Sequence, residues 1–249
     1  MNTTYSNHIN NILFLADSAL ILGQRNAEWC GHGPVLEQDI AITNITLDLI
    51  GQARLLYQHA AQLINENHGG NETEDLLAYL RNEREFKNLL ICELPKGDWA
   101  LTTLRQFFYS SYLQLLFEKM KNDKYEQLAA IASKSLKEVN YHVRWSGEWV
   151  VRLGDGTEES RNRMIAAIDE LWPYTGEFFI PAGFEENIDD SLTKEWTNKV
   201  KGVLEEATLS MPENIFMQTG GKKGVHTEHL GYILSEMQSL HRAHPGVEW

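Results

Sequence analysis

The chain is 249 residues long, 43% hydrophobic and 23% charged, with a formal charge of −13 from 35 acidic and 22 basic residues. That length is enough to bury a core, and the acidic balance argues against binding nucleic acid or an anionic membrane surface through charge alone. No apolar run approaches the roughly 20 residues a membrane span needs, and residues 1–10 are polar, without the apolar stretch of a signal peptide.

Helical periodicity runs through almost every long segment, with glycine and proline falling between segments. There is no internal repeat of roughly 20–50 residues and no low-complexity tract. The first helix is predicted over residues 6–24, with Ile9, Leu13, Ala16 and Leu20 along one face. A turn containing Glu28, Trp29, Cys30, Gly31, His32 and Gly33 follows, and Pro34 suits the entry to the next helix. That helix is predicted from residue 36 to about 65, with one interior glycine, Gly51. Its apolar residues Ile42, Ile45, Leu47, Leu49, Ile50, Leu55 and Leu56 cover more than one face, which places it inside a bundle. Residues 67–71 read as a loop, and short helices are expected near 74–80 and 83–93.

Pro95 and Gly97 break the pattern, and Asp98 is a good N-cap for an aromatic-rich helix through Met120. A second long helix is predicted over residues 124–153, ending at Gly154 and Gly156. Helices near 158–178 and 190–210 follow, separated by a loop with Pro181 and Gly183. Residues 211–227 read as irregular, and a last helix starts near Thr227 and stops before Pro245. No stretch has the alternation of a strand. The predicted fold class is all-α, one domain over residues 1–249, with two long central helices and shorter antiparallel partners.

Within the first long helix Asn44, Asp48 and Gln52 recur at i, i+4 and i+8, one line along the helix. Buried, such a line must be hydrogen-bonded, ion-paired or metal-bound. Helix bundles hold carboxylate-bridged di-iron centres through Glu-x-x-His pairs, whose spacing points both side chains at the same metals. None of the nine histidines has a glutamate or aspartate three residues before it. The nearest approach is Glu138 with His142 at i, i+4, in line with Lys134, whose ammonium would oppose a metal cation and neutralise a carboxylate. A solvent-facing charge ladder fits that spacing equally well. Cys30 and Cys92 form no C-x-x-C pair, which suits a reducing cytoplasm and leaves no thiolate metal site within this chain alone.

No nucleophile elbow, Walker loop or dinucleotide fingerprint occurs. Gly220, Gly221, Lys222, Lys223 and Gly224 lead through His226 to Thr227, a plausible helix N-cap. A basic, glycine-rich loop feeding a helix N-terminus can hold phosphate through backbone N–H groups. A surface loop or a docking loop for a protein partner is the alternative. His226 and His229, beside two lysines, make a poor metal pair.

Residues 24–37 (QRNAEWCGHGPVLE), 47–54 (LDLIGQAR) and 219–230 (TGGKKGVHTEHL) closely resemble the C-subunit family of bacterial 1,2-phenylacetyl-CoA epoxidases. Residues 84–90 (REFKNLL), 137–144 (KEVNYHVR) and the terminal tryptophan extend the resemblance over the whole chain. It implies a ferritin-like all-α bundle with additional C-terminal helices, related to the hydroxylases of multicomponent monooxygenases but lacking a di-iron site. By the same resemblance this chain is a non-catalytic subunit without a cofactor. It would support a catalytic A subunit that holds the di-iron centre and epoxidises the ring of phenylacetyl-CoA. A small B subunit and an NADPH-dependent reductase carrying flavin and iron–sulfur make up the rest of the assembly. Leu49 and Gln52 then stand where a Glu-x-x-His pair would be, and Tyr141 stands at i+3 from Glu138.

The expectation is that Asn44, Asp48 and Gln52 share a buried core with Lys134, Glu138 and His142 and satisfy each other there. Lys222, Lys223, Gly224 and His226 are the candidate loop for the phosphates of coenzyme A or for partner docking. The alternative is an autonomous di-metal oxidase with ligands drawn from Asp17, Asp48, Glu138 and His142.

Overall fold

The computed structural model describes residues 6–185, 187–213, 215–245 and 247; the terminal Trp249 lies outside them. All regular structure among the described residues is helical, and none of these helices is long and apolar enough to cross a membrane. The chain divides into two compact units. One comprises the chain up to Pro95, Ala182–Glu185 and the stretch from Gly220 onward; the other comprises Lys96–Pro181 and the stretch leading to Thr219.

The first unit is organised by α1 (Asn7–Ala27) and α2 (Leu36–His68). Ser6 caps α1 by accepting the Ile9 N–H at 3.3 Å, and the run from Ile12 to Leu22 is buried throughout. The two helices run antiparallel: Gly23 backs onto Leu49 and Ile50, Asp17 meets Tyr57, and His8 packs edge-on against His59. A Cβ at Gly23 would stand 3.2 Å from Ile50, so the glycine sets how closely the helices approach. In the connection, the Asp39 carboxylate accepts the Gly33 N–H at 2.9 Å, and this bond holds its carboxyl below the usual aspartate value. Helix α3 (Glu74–Tyr79) follows a loop closed by Asn65, whose side chain bonds the Glu72 backbone in both directions.

The helix expected over residues 83–93 is instead a 3₁₀ turn, Glu83–Glu85, and a single α-turn, α4 (Leu90–Glu93), joined by an extended strip. The reason is tertiary. Lys87 N–H donates to Asp17 at 2.8 Å and Leu89 N–H to Ser18 at 3.2 Å, so α1 side chains take donors a helix would have used internally. Thr227 then caps α9 (Glu228–Ala243), as its place in the sequence suggests.

The second unit is built on α5 (Trp99–Met120) and α6 (Glu126–Gly154). Asp98 caps α5 through the Leu101 N–H at 2.9 Å, as predicted. These helices are also antiparallel, with Trp99 against Trp145 and Trp149, Phe107 against Gly147, and Gln114 bonded to Asn140. Helix α7 (Glu158–Leu171) stops well short of residue 178, because Pro173 supplies no N–H to continue it. Two 3₁₀ turns, Trp172–Tyr174 and Gly176–Phe179, follow. Helix α8 (Asp190–Glu206) ends before residue 210 with Thr208 at φ 59°, where Ala207 closes onto Gly154.

Trp196 of α8 packs against Phe108, Trp172, Phe178 and Phe179, and its indole N–H donates to the Phe108 carbonyl at 3.1 Å. Trp196→Ala is expected to cost about 3–5 kcal/mol. Trp196→Phe, which keeps most of the ring packing but removes this additional bond to an interior carbonyl of α5, is expected to cost about 0.5–1.5 kcal/mol. Denaturant unfolding followed by circular dichroism separates the two; equal losses would show that the hydrogen bond, not the packing, dominates.

Candidate functional site

Asn44 on α2 is exposed, Asp48 half-buried and Gln52 buried. On α6 the same gradient recurs, with Lys134 exposed, Glu138 half-buried and His142 buried. The expectation that these six residues are all interior is therefore corrected at Asn44 and Lys134. The cause is helical drift: with 3.6 residues per turn, each i+4 step rotates by about 40°, so a three-residue line turns from solvent into the core. Leu49 is buried like Gln52, while Tyr141 is exposed.

The loop also departs from expectation. Lys222 is not an open phosphate ligand: its side chain is 3% exposed, with Nζ 2.8 Å from Glu185 Oε1 and 5.2 Å from the centre of the Phe14 ring. Gly224 adopts φ 75°, and a Cβ there would lie 2.3 Å from the Arg84 carbonyl oxygen. Its hydrogen is the only substituent that fits. The side chain of His226 is fully buried, between Glu93 and the Phe86 carbonyl. Of the four candidates only Lys223 is exposed. The loop is fastened to α1, α4 and the 83–89 segment by its own charged side chains.

Those fastenings belong to a buried charge cluster that sequence periodicity does not reveal. Asp17, fully buried in the apolar run of α1, accepts hydrogen bonds from Tyr57 Oη at 2.5 Å, from the Arg81 guanidinium and from the Lys87 N–H at 2.8 Å. Burial and the Asp17 charge push the Tyr57 phenol well above its ordinary value, so it remains a donor. Burial alone would lower Arg81, but the charge of Asp17 and the contact with Tyr57 raise it instead. The guanidinium also lies 4.3 Å from the centre of the Phe86 ring and bonds the carbonyls of Leu77 and Glu85. Asp17 is therefore a poor candidate for an atypical metal ligand, because its lone pairs are committed to these donors.

Glu93, also fully buried, is the second node. It accepts from the Thr227 N–H at 2.6 Å and from Asn88 Nδ2 at 3.0 Å, while Arg25 reaches its backbone carbonyl. Asp17 does carry one signal legible in the sequence, as the only charged residue in an eleven-residue apolar run; Glu93 carries none. Among the described residues, no three histidine, cysteine, aspartate or glutamate side chains come together to hold a metal ion.

Paired long hairpins in an all-helical chain, with interior charges matched to one another, are consistent with a ferritin-like helical protein. The sequence model of the family described as phenylacetic acid catabolic protein matches residues 1–249, and the chain belongs to that family. It is similar to the C subunit of the 1,2-phenylacetyl-CoA epoxidase of Escherichia coli (strain K12), at 44% identity over 249 residues covering 95% of this chain and 97% of the relative. The family assigns the chain a role in phenylacetate catabolism and bears out the resemblance read from the sequence.

Replacing Asp17 by leucine leaves Arg81 buried without its carboxylate and is expected to cost about 3–5 kcal/mol. Adding Arg81→Met is expected to restore only part of that stability, since it removes the uncompensated cation but leaves Tyr57 Oη and the Lys87 N–H without the acceptor they have in the native chain. A full double-mutant cycle by chemical denaturation measures the coupling. A single-variant loss below about 1 kcal/mol would place the pair in a solvent-like setting.

Proposed function

We propose that this chain is the non-catalytic structural subunit of a multicomponent 1,2-phenylacetyl-CoA epoxidase, pairing with and supporting a catalytic di-iron A subunit. The observation that carries this reading is the fate of its buried ionisable side chains. Asp17, Glu93 and Glu185 are each engaged by cationic or N–H groups of the same chain, not set out as open ligands. The near-full-length similarity to the C subunit of such an epoxidase supplies the assembly in which this chain would serve. At the positions the resemblance marks, Leu49 and Gln52 offer neither carboxylate nor imidazole, and Glu138 is followed at i+3 by Tyr141.

In this assembly the di-iron centre resides in the A subunit, and flavin and iron–sulfur in the reductase. A small B subunit is the remaining member. This chain works in the cytoplasm, where Cys30 and Cys92 stay reduced, and residues 1–249 act as one ferritin-like domain. With Lys222 internally paired, contact with the coenzyme A part of the substrate would fall to exposed Lys223.

Co-expression with the catalytic subunit of the same organism, followed by size exclusion and metal analysis, tests the proposal. A co-eluting complex is expected, with iron stoichiometric in the partner and sub-stoichiometric in this chain purified alone. Epoxidation should require both. Separate elution, with the A subunit fully active alone, would overturn it.

A further inference from the structure

We infer that His226 is held as a buried imidazolium at neutral pH, and that its ring proton fastens the Gly220–Thr227 loop and the start of α9 to α4. The inference rests on hydrogen-bond chemistry and is independent of the proposed function. Nε2 lies 3.0 Å from the Phe86 carbonyl oxygen, and Nδ1 lies 3.0 Å from Glu93 Oε2. A carbonyl oxygen only accepts, so Nε2 carries a proton. Glu93 already accepts from the Thr227 N–H through Oε1 and from the Asn88 amide through Oε2. A carboxylate so placed is an acceptor as well, so Nδ1 carries a proton too.

Charge balance gives the same result. Among the described ion pairs of this unit, those with side chains less than a tenth exposed set the carboxylates of Asp17, Glu93 and Glu185 against the cations Arg81 and Lys222, while Arg25, at 12%, pairs with the more exposed Glu28. The proton on His226 makes three of each sign, and without it one buried negative charge is left over. The charged and titratable groups on the elements packed around the imidazole are Asp17 and Arg25 of α1, Arg81, Glu83, Arg84, Glu85 and Lys87 of the 81–87 segment, Glu93 of α4, Glu185, Lys222 and Lys223, and Glu228 and His229 at the start of α9. Burial opposes protonation, but the hydrogen bond and charge of Glu93 and the Phe86 carbonyl outweigh it and leave His226 above its ordinary value.

Mechanically the pair sits at a joint. Glu93 holds His226 by the ring and Thr227 by the backbone, and the Thr227 hydroxyl accepts the His229 N–H at 3.3 Å to begin α9. A histidine whose folded value exceeds its unfolded one contributes stability that is complete below the unfolded value. That stability is lost as pH rises through the folded one. The fastening is therefore closed at neutral pH and opens on the alkaline side.

Nitrogen-15 NMR of the intact chain with labelled histidine reads the ring directly. Both nitrogens of His226 are expected to be protonated at neutral pH, with a titration midpoint above that of an unperturbed histidine. Thermal unfolding across the same pH range should show the wild-type midpoint falling over that titration. His226→Gln should unfold at a lower temperature at neutral pH and lack the His226-linked fall. A bare nitrogen on His226 at neutral pH would overturn the inference, as would an unchanged alkaline fall in the glutamine variant. Should that variant fail to fold, the wild-type ring spectrum alone decides between the two results.

Discussion

The first unit depends on one carboxylate. Asp17 is the point at which α1, α2, the segment after α3 and the extended strip leading to α4 are joined, through Tyr57, Arg81 and the Lys87 N–H. Helix α9 is tied to the same node indirectly, because the side chains of Gln238 and Arg242 both donate to the Arg81 carbonyl. An isolated charge at that depth would be prohibitive, so the surrounding chain is constrained to deliver donors. The departure from helix at residues 86–89 is part of that delivery: a continuous helix would have spent the Lys87 N–H internally.

Where local pattern decides structure, the sequence is informative. Asp98 and Thr227 cap α5 and α9 as their positions suggest, and α2 and α6 lie within a few residues of their periodic runs. Where tertiary bonds compete, it is not. Residues 83–93 have helical spacing, but two of their N–H groups are claimed by Asp17 and Ser18, about seventy positions away in the chain. Pro173 is visible in the sequence, yet helical spacing continues past it to residue 178, and in the folded chain the missing N–H outweighs that spacing.

The site is harder to read for a related reason. Asn44, Asp48 and Gln52, like Lys134, Glu138 and His142, stand out because polar residues at i+4 spacing are conspicuous on paper, yet both lines turn from solvent to core along their length. The charges that matter lie far apart in the chain. Asp17 pairs with Arg81 across 64 positions, and Glu93 with His226 across 133. Neither pair has a periodic signature. The basic glycine-rich loop misleads in the opposite sense: its composition suggests an anion site, but Lys222 is spent on Glu185 and His226 on Glu93.

That pairing bears on what a metal site in such a bundle would need. A di-metal centre assembles carboxylates in excess and leaves the cation to neutralise them. Among the described residues, the interior carboxylates Asp17, Glu185 and Glu93 of the first unit are instead each paired with one of its own side chains, Arg81, Lys222 and His226. The same pairs draw α9 and the Gly220–Thr227 loop, late in the sequence, onto helices formed at its beginning. The interaction energy of these pairs goes into holding the loop and α9 on the helices that precede them.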